Sequence, residues 1–295
     1  MALLVDASYW IYRVHFQPEL RVTFLDVGKG NAALVQFPHG QKMLLDGGGF
    51  PGGNFDVGKM VVAPFLWQQK IGQVDHLALS HPDADHMNGL GFVAEAFSPE
   101  DLWWNGDRAE TQAFKRFIRK IQEEGIRRYG PEDLRGGRTI QGGRVEVLHP
   151  SVDEGLGFWG DAGIQRNNRS LVLKVSWQGK SILFPGDIER EAETVLLSRQ
   201  ISRLQSDVLL VPHHGAGSSC TKRFLEAVDP SVCIISCGES SYSGLPDEEV
   251  LERLEALDCR VYQIDQTGAV TVTIHEGEVE ISTFSSGSES LSGSV

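Results

Sequence analysis

The segment His81-Pro82-Asp83-Ala84-Asp85-His86 sets four potential cation ligands within six residues, directly after the apolar run Leu77-Ala78-Leu79. On an extended segment alternate side chains share a face, so His81, Asp83 and Asp85 point one way and His86 opens the next element. Burying that much like charge without a counter-ion is costly. A pair of divalent cations relieves the cost. Two such ions a few ångström apart activate water and cover the charge that develops when a phosphate ester is hydrolysed.

Residues far along the chain can complete such a centre. Asp187 ends Phe184-Pro185-Gly186-Asp187 and is expected to bridge the two ions, with a helix N-cap as its alternative role. His213 and His214 follow the apolar run Val208 to Val211. Neighbouring side chains of an extended segment point to opposite sides. His213 is therefore expected to ligate metal, and His214 to contact substrate or donate a proton. His149, after Leu148, reads equally as a ligand at the His81/Asp83 end and as a loop histidine. Asp46 also ends an apolar run and is expected to orient a ligating histidine. Asn168 and Arg169 are expected to line the mouth of the site. The catalytic assignment is Asp85, Asp187 and His214. One ion is expected at His81 and Asp83, the other at Asp85, His86 and His213, with Asp187 shared. Zinc suits the imidazoles, and the extra carboxylate at Asp83 makes manganese competitive.

Elements must carry these residues to one place. Arg21–Leu25, Ala33–Phe37, Lys42–Leu45 and His76–Leu79 read as strands, Lys59–Gln69 as a helix interrupted by Pro64, and Thr111–Glu124 as an amphipathic helix. Arg144–Leu148, Leu171–Trp177, Ser181–Phe184, Asp207–Val211 and Val232–Ser236 read as strands. Ile188–Gln200, Thr221–Val228 and Asp247–Leu257 read as helices. The strands Arg260–Ile264 and Ala269–Ile274 follow. The joints between these elements are short, so the chain reads as one domain of two packed halves.

The chain has 295 residues, 41% of them hydrophobic and 23% charged, the balance of a globular protein. A net charge of −13 argues against a nucleic-acid partner. From Arg108 to Arg144, however, ten Lys/Arg stand against five Asp/Glu, leaving 17 basic and 35 acidic residues elsewhere. That local excess fits a phosphate-bearing substrate or, equally, a solvated helix face. The four cysteines form no close pair and no disulfide framework. No apolar run reaches membrane-spanning length, and the start lacks the basic region of a secretory leader. Residues 1–20 read as the trailing end of a preceding region, 21–284 as the catalytic domain, and 285–295 as a disordered Ser/Gly/Glu tail.

Together these pieces resemble the metallo-β-lactamase superfamily, whose signature is His-x-His-x-Asp-His, with Asp83 in place of the second histidine. With that replacement the chain is similar to the hydrolase domain of the ComEC family of bacterial DNA-uptake channels. The resemblance rests on Phe24-Leu-Asp-Val-Gly-Lys-Gly-Asn31, Leu44-Leu-Asp-Gly-Gly48, Ser80 to His86, Asn167-Asn-Arg-Ser-Leu-Val-Leu173, Phe184-Pro-Gly-Asp187 and Val211-Pro-His-His-Gly215. It implies an α/β fold, an αββα sandwich of two mixed sheets with metals at one edge. It implies a nuclease acting on the DNA strand that is not imported, single-stranded DNA as partner, and a place outside the inner membrane, reached only through the rest of a larger channel protein. Two departures stand out. Asn31 replaces a usual Asp in the turn after the first strand. Family members often carry Gly-His-Pro late in the chain, where this one has Gly244-Leu245-Pro246. Leucine neither ligates metal nor donates a hydrogen bond, so transition-state stabilisation is weaker there or comes from another group. Two other readings stay open. One is a hydrolase of another ester or amide, such as a phosphorylcholine ester or a lactam. The other is a DNA-guiding module whose catalysis has eroded.

Overall fold

The computed structural model describes residues 19–52, 55–150, 164–238, 244–284 and 289–291. Apart from its last two residues, the segment 1–20 lies outside that set, as does most of the loop before Asn168.

Hydrophobic alternation sorts the strands into two sheets. The first contains β1 (Leu20–Phe24), β2 (Ala33–Gln36), β3 (Lys42–Leu45), β4 (His76–Leu79), β5 (Asp101–Trp104) and β6 (Arg127–Tyr129). The second contains β7 (Arg138–Ile140), β8 (Gly143–His149), β9 (Val172–Trp177), β10 (Lys180–Phe184), β11 (Val208–Leu210), β12 (Val232–Ile235) and β13 (Arg260–Gln263). The chain then returns to the first sheet with β14 (Val270–His275), β15 (Glu278–Thr283) and β16 (Glu289–Leu291). The orders are β16-β15-β14-β1-β2-β3-β4-β5-β6 and β13-β12-β11-β10-β9-β8-β7. Each sheet is antiparallel on one side and parallel on the other: β3 to β6 run parallel, as do β10 to β13.

Period-2 side chains build three layers of core. Met43 and Leu45 of β3 face the other sheet, together with Val208 and Leu210 of β11 and Val232 and Ile234 of β12. Phe24 and Phe184 stack across that interface, their ring centroids 5.7 Å apart. The alternate residues Leu44, Leu77 and Leu79 face helices on the outside of the first sheet. Leu209, Cys233 and Ile235 do the same on the second. The result is the αββα sandwich of two mixed sheets. Among the described residues no helix is long and apolar enough to cross a membrane.

The helix read at Lys59–Gln69 is a π-helical turn, Gly58–Val62, continued by the α-helix Ala63–Gln68, so Pro64 lies where the wider π turn gives way to the α-helix. The tail departs from the disorder expected of it: residues 289–291 pair antiparallel with β15, whose free edge supplies backbone hydrogen bonds that composition does not reveal. All four cysteines are free, and Cys233 and Cys259 bring their sulfurs to 3.0 Å.

The helix Ala84–Met87, which follows His81, is packed too closely for side chains on its flanks. A Cβ on Gly89 would lie 1.9 Å from the Gly47 carbonyl oxygen, so the loop after β3 and the end of this helix touch through backbone alone. By contrast, a Cβ on Gly91, in the helix Leu90–Ala96, would meet nothing within 4 Å. Gly89→Ala is therefore expected to destabilise the protein by about 1–3 kcal/mol, and Gly91→Ala to stabilise it by about 0.5–1 kcal/mol. Urea unfolding of the two variants checks this; equal effects would contradict it.

Candidate metal centre

The site forms where strands from both sheets end on one rim. In the parallel halves, β3 delivers Asp46, β4 delivers Ser80 and His81, β10 delivers Asp187, and β11 leads into His213 and His214. Ligand sites of open α/β sheets lie at the carboxyl ends of strands for this reason. After His81 the chain turns into the short helix Ala84–Met87, with Asp83 extended at its N-cap. That turn places Asp85 and His86 beside His81.

Two overlapping sets of ligand atoms converge: His81, His86 and Asp187; and Asp85, His86 and His214. Asp187 Oδ2 is 3.1 Å from His86 Nε2, 3.4 Å from His214 Nε2 and 3.9 Å from His81 Nε2. All three imidazoles are held by the opposite ring nitrogen. His86 Nδ1 donates to Asp46 Oδ2 at 2.8 Å, and His214 Nδ1 donates to the Ser236 carbonyl at 2.7 Å. His81 Nδ1 lies 3.0 Å from the Ser80 hydroxyl. Asp46 is itself fixed by the backbone N–H and hydroxyl of Ser80, both at 2.8 Å.

The residues fit a cation. The Nε2 atoms of His81, His86 and His214 and Oδ1 of Asp187 are buried and make no hydrogen bond. Such orphaned polar atoms are expensive unless something outside the protein satisfies them. Three imidazole nitrogens and several carboxylate oxygens are a donor set for a transition-metal dication.

The electrostatics point the same way. Burial lowers the His81 pKa to about 4, helped by repulsion from His86. Burial would also lower His86, but the carboxylates of Asp187 and Asp46 outweigh it and hold the imidazolium well above the usual histidine value. His214 is raised as well: burial opposes and Asp187 prevails. Asp187, despite burial, is held well below the carboxylate range by His86 and His214. Protons on His86 and His214 thus occupy the place a cation would take.

Several placements differ from the expectations set by spacing. His214, not His213, lies in the converging set. Both residues have left-handed backbone, with φ of 50° and 56°, so the rule of opposite faces on an extended segment does not hold there. Pro212 and Gly215, which flank the pair, are the turn signal that marks this. His213 stands at the rim, its side chain 24% exposed, with Nδ1 3.2 Å from Glu189 Oε1 and Nε2 3.9 Å from Asp187 Oδ2. His149 is not in either converging set: it is buried, and its Nε2 donates to the Asn168 carbonyl at 2.7 Å. Burial lowers its pKa to about 4. Asp83 keeps one oxygen 3.7 Å from His81 Nε2 and gives the other to Arg166 at 2.7 Å.

Asn168 does not line the mouth. It is buried, and its Oδ1 accepts from the backbone N–H groups of Glu189 and Ala192 at 2.9 and 3.2 Å. It thereby caps the helix Arg190–Arg199, whose own N-cap residue, Glu189, makes no side-chain cap. Asp187 accordingly has no capping duty. Arg169 pairs with Asp107 at 3.1 Å rather than pointing freely at the opening. Arg166 and Lys29, which spacing did not single out, stand at the two ends of the centre. Lys29 Nζ is 3.7 Å from Asp85 Oδ2.

With this geometry, the chain belongs to the metallo-beta-lactamase superfamily: the model of that family matches residues 25–239. Its homologues include competence proteins of the ComEC family. The chain is 28% identical over 265 residues to the ComE operon protein 3 of Bacillus subtilis, a match covering 85% of this chain and 33% of that protein. It is 28% identical over 288 residues to the Competence protein ComA of Neisseria gonorrhoeae, covering 95% of this chain and 36% of that one. The chain therefore spans about a third of the length of these relatives. Among solved structures, Igni18, a metallo hydrolase from Ignicoccus hospitalis, superposes with a TM-score of 0.51 at 13% identity, covering 85% of this chain and 98% of that one. CmlA, a diiron β-hydroxylase from Streptomyces venezuelae, gives 0.54 at 14% identity, covering 86% and 54%. These two likenesses concern the fold.

Because ligating imidazoles must be neutral, cation binding near pH 7 is expected to release protons from His86 and His214, and affinity to fall as pH falls. Calorimetric titration of manganese or zinc into EDTA-treated protein, in buffers of different ionisation enthalpy, measures the release. Binding without proton release, or unchanged binding by Asp187→Ala, would contradict the assignment.

Proposed function

We propose that this chain is a dinuclear metal-dependent phosphodiesterase that degrades a strand of DNA during DNA uptake. Superfamily membership and the buried donor set support a metal-dependent hydrolase. The names of the relatives support a task in competence. The observation that carries the reading is the convergence of three buried imidazole Nε2 atoms, none with a well-formed hydrogen bond, on the Asp187 carboxylate. In this reading the domain belongs to a longer channel protein, faces the outside of the inner membrane, and meets the membrane only through the rest of that protein.

His81 would hold one divalent ion, and Asp85, His86 and His214 the other, with the two carboxylate oxygens of Asp187 available to both. Asp83 extends the first set once Arg166 yields. Zinc or manganese bound there would supply Lewis acidity, making a water acidic near neutral pH and covering the negative charge on a phosphate in displacement. The chain's own residues do the remainder. Asp46 and the Ser236 carbonyl fix which nitrogen of His86 and His214 faces inward. Arg166 and Lys29 bracket the centre with positive charge suited to the phosphates on either side of the scissile bond. His213, oriented by Glu189 at the open rim, is placed to give a proton to the departing alkoxide oxygen. It takes the part first expected of His214. It also offers a hydrogen-bond donor that Leu245, in the loop 244–246, lacks.

The test is hydrolysis of bis-nitrophenyl phosphate and of single-stranded oligonucleotides with added manganese or zinc. Asp187→Ala is expected to lose metal and activity together. His213→Ala is expected to keep its metal, measured by elemental analysis, while kcat drops about 100-fold. An Asp187→Ala protein as active as the parent would overturn the reading, and a fully active His213→Ala protein would overturn the proton-donor role.

A further inference from the structure

Among the described residues six large hydrophobic side chains are exposed, and four of them fall between positions 50 and 67. Isolated exposed apolar residues are ordinary; an aromatic pair beside a charged catalytic rim is not. Phe50 and Phe55 are 37% and 51% exposed, and their rings meet edge to face with centroids 6.2 Å apart.

The pair is fixed relative to the metal centre. The Asn88 side-chain amide donates to the Phe50 carbonyl at 2.9 Å, and Asn88 directly follows the helix that carries Asp85 and His86. Just before Phe50, Gly49 runs so close to that helix that a Cβ would come within 2.4 Å of the Ala84 carbonyl oxygen. Across the rim, the Phe50 ring tip lies 3.5 Å from where a Cβ on Gly28 would sit. The next residue is Lys29, whose ammonium is 3.7 Å from Asp85. A cation and two partly exposed phenyl rings thus share one side of the centre.

We propose that Phe50, Phe55 and Lys29 form a platform that takes one nucleotide of an unpaired strand, the base stacked on a phenyl ring and its phosphate against the Lys29 ammonium. This rests on the phosphodiesterase reading and assigns the residues that would hold a nucleotide of its strand. A base inside a duplex has both faces covered and cannot stack on a ring, whereas an unpaired base can. Stacking on phenyl rings is indifferent to base identity, so the platform selects strandedness and not sequence. Charge complementarity at short range argues for this occupant: the Lys29 ammonium, 3.7 Å from Asp85 Oδ2 at the edge of the centre, meets one phosphate at a time, as a strand threaded past the rings presents it.

The test uses the full chain and the variant Phe50→Leu/Phe55→Leu, which keeps apolar bulk and removes the ring faces. The probe is a single-stranded oligonucleotide containing 2-aminopurine, compared with an abasic strand of equal length and with its duplex. With EDTA-treated protein, the parent is expected to bind the base-bearing strand about tenfold more tightly than the abasic one, with a change in 2-aminopurine emission. The variant is expected to bind both alike, without that change. In metal-loaded protein the variant's KM for the strand is expected to rise about tenfold with kcat and metal content retained. If the parent cleaves the strand but binds base-bearing and abasic strands equally, the platform is wrong and the phosphodiesterase reading stands. If the variant loses binding to anionic vesicles while its oligonucleotide affinity is unchanged, the rings serve a membrane and the proposal fails. If the parent neither binds nor cleaves any strand while hydrolysing another ester, both readings fail.

Discussion

The structure turns on one electrostatic constraint: three imidazole nitrogens are buried around the Asp187 carboxylate with no well-formed hydrogen bond to any of them, and its Oδ1 has none either. Each of His81, His86 and His214 has its other ring nitrogen engaged, by Ser80, Asp46 and the Ser236 carbonyl, so the rings cannot turn away to find partners without breaking those contacts. Unpaired groups of this kind cost on the order of 1–3 kcal/mol apiece. A fold bears that strain when an ion or substrate relieves it, and functional sites are where such strain collects. Two sheets, each parallel on one side, bring strand ends from distant stretches of the chain to one rim and hold them through the core between Phe24 and Phe184. The close backbone contact at Gly89 ties the helix bearing Asp85 and His86 to the loop that begins at Asp46.

Net acidity and a phosphate-bearing substrate conflict less than the total charge suggests. Arg166 and Lys29 sit at the ends of the centre, each against one of its carboxylates. In the proposed reading, cations bound there would give the carboxylates of Asp83 and Asp85 a second partner and free the two basic side chains to meet phosphate. The basic stretch from Arg108 to Arg144 is spent in part on the fold: Arg138 donates to the Asp133 carbonyl and Arg144 to the Gly136 carbonyl, both near the second sheet's outer strands.

How far the chain is legible from sequence alone follows from what each residue depends on. The clustering of His81, Asp85 and His86 is legible from their adjacency, but the shared extended face of His81, Asp83 and Asp85 is not formed, because the helix begins at Ala84 and carries Asp85 on its first turn. The alternation of apolar residues on β3, β4, β11 and β12 announces the sandwich. His213 and His214 exchange places because their left-handed backbone replaces the extended geometry on which the opposite-faces rule depends. Asn168 and Arg169 do not reach the mouth because a helix that begins at Arg190 needs a cap and Asp107 needs a partner, and neither need shows in the sequence. The strands Asp101–Trp104, Arg127–Tyr129 and Glu278–Thr283 and the helix Leu90–Ala96 escape a reading by pattern. They are short or mixed in composition, and their pairing partners, not their own pattern, define them.

Anomalous diffraction from crystals grown with manganese or zinc tests the central claim most directly. The account predicts two peaks a few ångström apart, one beside His81 and Asp187 and one beside Asp85 and His214. A map without anomalous density at that rim, with the three imidazole Nε2 atoms hydrogen-bonded to protein or water, would contradict it.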